Sequence, residues 1–185
     1  MESLPLVRFE RVLLPGTRHS VRTGRSDLGV GERVVVVLEQ PDGSLGRVGT
    51  TSRIQGIGRE GPDRVVLELI GETLVCVDPE GDEAAVSPVD AARPDGSNDL
   101  VDQAQRALWH YMAARAEAGV GGDVHAALER DPVVASHQVA SHLEITWPEV
   151  QDILEAGDAT DRLGMEITVL ERETALLRAF LGRSD

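Results

Sequence analysis

Lysine is missing from this chain: all 18 of its basic residues are arginine. A phosphate-binding P-loop needs a lysine to reach the β- and γ-phosphates, so that nucleotide-hydrolysing motif is excluded. A serine–lysine dyad and Schiff-base chemistry fall with it. Cysteine occurs once, at Cys76, which rules out an internal disulfide framework or a cysteine-rich metal site. Its neighbours, Thr73-Leu74-Val75-Cys76-Val77, predict a buried, small apolar residue in a strand. Aromatic residues make up only 3 % of the chain, and both tryptophans, Trp109 and Trp147, fall in the second half. No apolar run is long enough to span a bilayer and no charged-then-apolar leader opens the chain, so the expectation is a cytoplasmic protein. A Gly-x-Ser-x-Gly nucleophile elbow is also absent.

The charge that is present is mostly negative. The 185 residues carry 32 acidic against 18 basic groups, a formal net charge of -14, which repels phosphate backbones and counts against nucleic-acid binding. Arg18, Arg22 and Arg25 form the densest basic stretch, and with no aromatics between them they read as a solvated turn. Of the five histidines, His19, His110, His125, His137 and His142, the last two stand five apart, which does not align imidazoles on one helical face. No metal site is expected. Asp78, Glu80, Asp82 and Glu83 lack the register of a cation loop and read as a solvated acidic turn.

The first ninety residues read as strands. Leu4-Pro5-Leu6-Val7 through Val12-Leu13-Leu14-Pro15-Gly16 is a pair of short apolar strands punctuated by prolines, which suits a sheet edge because proline removes a ladder donor. Pro15 and Gly16 supply the two central conformations of a type II turn. Arg33 to Leu38 is a β-branched run of the kind buried on both faces. Strands follow over Arg47–Ile54, Val65–Ile70, the Cys76 run and Ala84–Ser87, with Gly71 marking a bulge or bend. Residues 1–90 are therefore expected to form a small curled sheet or pseudo-barrel, and 91–98, centred on Arg93-Pro94-Asp95-Gly96-Ser97, a linker.

From residue 99 to 185 the apolar period lengthens to that of helices. One helix starts at Asn98 or Asp99 and ends at Gly119, and short ones are expected over Asp123–Arg130 and Pro132–Leu143. Thr146-Trp147-Pro148-Glu149 has capping-box spacing with proline in the first turn. Asp158 caps a last helix whose Leu163, Ile167, Leu170, Thr174, Leu177 and Leu181 form one narrow apolar stripe. That stripe suits docking within its own bundle, or a homodimer through a coiled coil.

The order of these pieces resembles the Lon protease N-terminal domain family. The Leu-Pro-Leu opening and its Pro-Gly close, Val48-Gly49-Thr50, the paired strands around Gly71, Gln151-Asp152-Ile153-Leu154-Glu155, Arg162-Leu163, and Glu171 with Glu173 follow one another as they do in that family. The resemblance implies an α+β fold, a PUA-like curled β-sheet followed by a C-terminal helical bundle. It also implies a non-enzymatic recognition module, here expected as a stand-alone domain without cofactors that binds polypeptide segments or partner proteins and serves as an adaptor or regulator of proteolysis. Edge-strand addition at Leu13, Leu14 and Pro15 is the expected binding mode, with Trp109 and Trp147 as candidate contacts in a groove, although each tryptophan suits the core better. The alternative is a nucleic-acid or nucleotide-binding PUA-like domain using Arg18, Arg22 or Arg25.

Overall fold

Alternating valines explain the centre of the sheet. In the computed structural model, which describes residues 2–61, 64–89, 97–120 and 127–182, strand β3 (Arg33–Leu38) sends Val34 and Val36 into one apolar cluster and Val35 and Val37 into another. The strand is buried on both faces, as its β-branched run predicts. Around it lie β1 (Glu2–Phe9), β2 (Arg18–Thr23), β4 (Val48–Arg59), β5 (Val65–Glu80) and β6 (Glu83–Pro88). Their order is β2-β5-β4-β3-β1-β6, and a further β5–β6 pairing closes all but β2 into a ring. Among the described residues four helices accompany this six-stranded mixed sheet: α1 (Ser97–Glu117), α2 (Pro132–His142), α3 (Trp147–Leu154) and α4 (Ala159–Leu181). The fold is α+β.

The opening strand is not an edge. β1 pairs antiparallel with β6 over Glu2–Pro5 and parallel with β3 over Leu6–Phe9, so Pro5 stands where the ladder changes partner and its missing donor is tolerated in the middle of the sheet. Nor is there a second strand at Val12–Leu14; this buried irregular stretch leads into the expected turn. Gly16 has φ of 79° and the Thr17 amide donates to the Leu14 carbonyl at 3.2 Å, as a type II turn requires. The turn is pinned to β5: Gly16 N–H donates to the Gly71 carbonyl at 2.9 Å and Gly71 N–H to the Thr17 carbonyl at 3.0 Å. A Cβ on Gly71 would collide with the Leu14 carbonyl oxygen, so close backbone approach demands glycine there. The bulge expected at this point appears as a register shift in which Thr51 faces Thr73 while Ser52 faces Gly71. Beyond it, β5 buries Val75 and turns Cys76 outward. Period-two alternation places the thiol between two core-facing residues, correcting the expectation of a buried cysteine.

The chain separates into two compact units, Met1–Val89 with Ile145–Glu155, and Asp90–Glu144 with Ala156–Asp185. Helix α3 therefore belongs with the strands, unlike the division expected at residues 91–98, most of which lies outside the described residues. Its attachment is specific. Buried Gln151 donates to the Val48 carbonyl and to the Glu155 carboxylate, both at 2.8 Å, and Glu155 accepts from the Arg47 amide and guanidinium.

In the helical unit the stripe of α4 buries Leu163, Leu170 and Thr174 against its own neighbours. Asp158 caps the helix as expected, and Asp131 caps α2. Residues 127–130 are irregular rather than helical, and the rest of the helix expected over 123–130 lies outside the described residues, as does His125. Arg162 and Glu166 are buried together, with Ser136 donating to Glu166 at 3.0 Å. Burial pushes the Glu166 carboxyl well above its ordinary range, against the opposing pull of Ser136 and Arg162.

Candidate binding site

Strand β2 is polar apart from Val21, which alone is fully buried, and among the described residues it ends the sheet with one hydrogen-bonded neighbour. Alternate residues of a strand bond across a given edge. Because the Thr17 carbonyl already serves β5, and Arg18 to Thr23 continue opposite Ile70 to Val65, the backbone groups of Arg18, Ser20 and Arg22 point to the open side. Beside them the last residues of β1 and its continuation, Arg8 to Arg11, complete a cleft of about 530 Å³ that also includes His19 and Glu39.

The cleft concentrates positive charge on an acidic chain. Arg8 and Arg22 are partnered, with Glu39 at 3.7 Å and Glu60 at 2.9 Å, all substantially exposed. Arg11 and Arg18 have no ion pair among the described residues. Phe9 and His19 meet edge to face with ring centroids 6.2 Å apart. Burial, helped by the nearby Arg11 charge, lowers the His19 pKa, so the ring is a neutral donor or acceptor at neutral pH. Four guanidinium groups around an open backbone edge can hold carboxylates or other anions, and Ser20 donates its hydroxyl to the Glu68 carboxylate at 2.7 Å.

The sequence-predicted residues lie elsewhere. Leu13 and Leu14 are 2 % and 6 % exposed, and the Leu13 carbonyl accepts from Thr50 Oγ1 at 2.5 Å, so these side chains hold the turn in the core and cannot meet a docked segment. Pro15 is half-buried at the turn. Trp147, the first residue of α3 in the strand unit, is 36 % exposed, and Trp109 on α1 in the helical unit is 48 % exposed, so neither is the core residue that its type favours. Arg18 and Arg22 sit on a strand rather than a solvated turn, and Arg25 beyond it is held by Asp27 at 2.7 Å. Sequence reasoning missed the β2 edge because six residues with one apolar side chain carry almost no periodic signal.

In the helical unit a groove of about 430 Å³ between α1 and α4 is lined by Arg106, His110, Glu171 and Arg178 among others. His137 has a buried Nε2 without a hydrogen-bond partner, and burial, then the Arg162 charge, lowers its pKa to about 4. Among the described residues no three His, Cys, Asp or Glu side chains are grouped to hold a metal ion, and no helix is long and apolar enough to cross a membrane.

No protein-family model matches the sequence, and no curated protein matches it. Solved structures do. The N-terminal domain of the Mycobacterium avium complex Lon protease is 18 % identical with a TM-score of 0.66, over 92 % of this chain and 98 % of that one. A Lon N-terminal domain protein from Xanthomonas campestris is 22 % identical with a TM-score of 0.57, over 91 % and 98 %. The likeness spans both units and is one of fold.

Proposed function

We propose that this chain, which carries the fold of the Lon N-terminal domain, is a non-enzymatic recognition module that binds extended polypeptide segments through its strand unit and so acts as an adaptor or regulator of proteolysis. The observation that supports this reading is the open side of β2, where the backbone groups of Arg18, Ser20 and Arg22 face a cleft with no strand paired to them among the described residues. Main-chain hydrogen bonds from such an edge supply sequence-tolerant affinity, and flanking side chains supply selectivity. The contact surface therefore moves from Leu13–Pro15 to the strand that their turn supports.

Ser20→Pro tests the mode directly. Proline is tolerated on an edge strand when its nitrogen faces away from the sheet, so the variant folds, yet it withdraws the donor at the centre of the open edge. Against a displayed library of random peptides, the wild-type chain is expected to enrich extended sequences and Ser20→Pro to lose them. Equal enrichment by a folded Ser20→Pro variant refutes edge addition at β2.

A further inference from the structure

We propose that the cleft beside β2 selects acidic segments, with Arg11 and Arg18 receiving their carboxylates; this deepens the polypeptide-binding reading above and rests on it. The argument starts from pairing. In this strand unit carboxylates engage Arg8 (Glu39), Arg22 (Glu60), Arg25 (Asp27), Arg33 (Glu2 and Glu72), Arg47 (Glu155) and Arg53 (Glu72), while Arg11, Arg18, Arg59 and Arg64 have no ion pair among the described residues; what sets the first two of these four apart is their place in the cleft. Arg11 and Arg18 line a concave site and have none of these partners. Arg11 lies near enough to His19 to lower its pKa, so its charge acts within the cleft.

The chemistry of the lining favours separated carboxylates over a phosphate chain. Glu10 and Glu39 stand among the arginines, so the positive charge is broken into patches, which matches carboxylates spaced along an extended peptide and repels a continuous phosphate backbone. Phe9 and His19 are the aromatic rings of the lining, and they meet edge to face, which is not the row of parallel platforms on which successive bases stack. On β2, Arg18, Ser20 and Arg22 share the exposed face; Ser20 is bonded to Glu68 and Arg22 to Glu60, so a segment added at this edge brings side chains past two guanidinium forks, of which Arg18 is the one without a carboxylate, and the planar geometry of such a fork suits one. A segment with Asp or Glu at alternate positions is the ligand that these features describe.

Three probes and one variant decide the matter on the full chain: fluorescein-labelled hexapeptides alternating Asp with Thr and Asn with Thr, and a labelled six-nucleotide single-stranded DNA. Fluorescence anisotropy is expected to give the Asp peptide an affinity about tenfold or more above its Asn isostere, weakening with added salt. Arg11→Gln/Arg18→Gln, which alters only exposed side chains, is expected to keep its thermal midpoint and lose that preference. Equal binding of the two peptides, unaffected by the double substitution, overturns the acidic selectivity while leaving polypeptide binding intact. Tighter binding of the DNA than of either peptide overturns both.

Discussion

Gly71→Ala puts the supporting turn of the candidate site to a quantitative test. An added methyl group meets the Leu14 carbonyl oxygen too closely to be accommodated, and that oxygen is main chain, within a turn already fixed by Pro15. Relief requires the turn and β5 to separate, weakening the Gly16-to-Gly71 bond of 2.9 Å and the Gly71-to-Thr17 bond of 3.0 Å. Two such bonds contribute about 1–3 kcal/mol together, and forcing atoms into a packed position costs about 1–3 kcal/mol more. Working in the other direction, alanine restricts the unfolded chain and stabilises by about 0.4–1 kcal/mol. The net loss is about 1–6 kcal/mol, which for a chain of this length lowers Tm by about 2–24 °C. Gly56→Ala is the control, since a Cβ there meets only the Glu68 side chain, at an ordinary 3.7 Å. Differential scanning calorimetry of both variants reads the effect. A Gly71→Ala midpoint equal to or above the wild type, with Gly56→Ala unchanged, refutes the close-approach argument.

Two further outcomes follow from buried polar groups. Gln151→Glu replaces a donor by a carboxylate that faces the Val48 carbonyl and Glu155. It is expected to cost about 3 kcal/mol at pH 7 and less in acid, measured by urea unfolding followed through Trp147; an unchanged midpoint would remove Gln151 as the link between α3 and β4. His137 is held neutral, its pKa lowered from 6.5 to about 4, so its contribution is complete above pH 6.5 and is lost as the pH falls toward 4. The full shift corresponds to about 3 kcal/mol, and His137→Gln should flatten the His137 part of the stability profile across that window, with Arg162 and Asp131 left in place as charged groups and the buried Glu166, its carboxyl pushed up, as a titratable one.

What could be read from the residues alone was whatever local chemistry dictates. The Pro15-Gly16 turn, the Asp158 and Thr146 caps and the two-sided burial of β3 each depend on a few adjacent side chains, and all are present. Pairing partners were not legible. Pro5 suggested an edge, but β1 changes partner at that residue, a property of β3 and β6 rather than of β1 itself. Gly71 announced an irregularity without revealing that its cause is a turn more than fifty residues earlier in the chain. Helix α3 follows helical residues in sequence, which predicts a place among them, whereas Gln151 and Glu155 tie it to the β4 end of the sheet. Trp109 and Trp147 suited the core by residue type, and their exposure is set by which helix faces are covered.

The same distinction governs electrostatics. A net charge of -14 describes the far field and disfavours a polyanionic backbone approaching from a distance. At contact range a ligand meets individual groups, and there the decisive quantity is which charges already have partners. Arg22 is neutralised by a residue 38 positions away and Arg33 by one 39 positions away, pairings made by sheet register and invisible to composition. Arg18 lies on the same strand as Arg22 but reaches no such carboxylate. An acidic chain can thus present an anion-binding cleft without any departure from its overall composition, because the fold, by pairing strands, decides where its carboxylates are spent and where a guanidinium is left to receive one from outside.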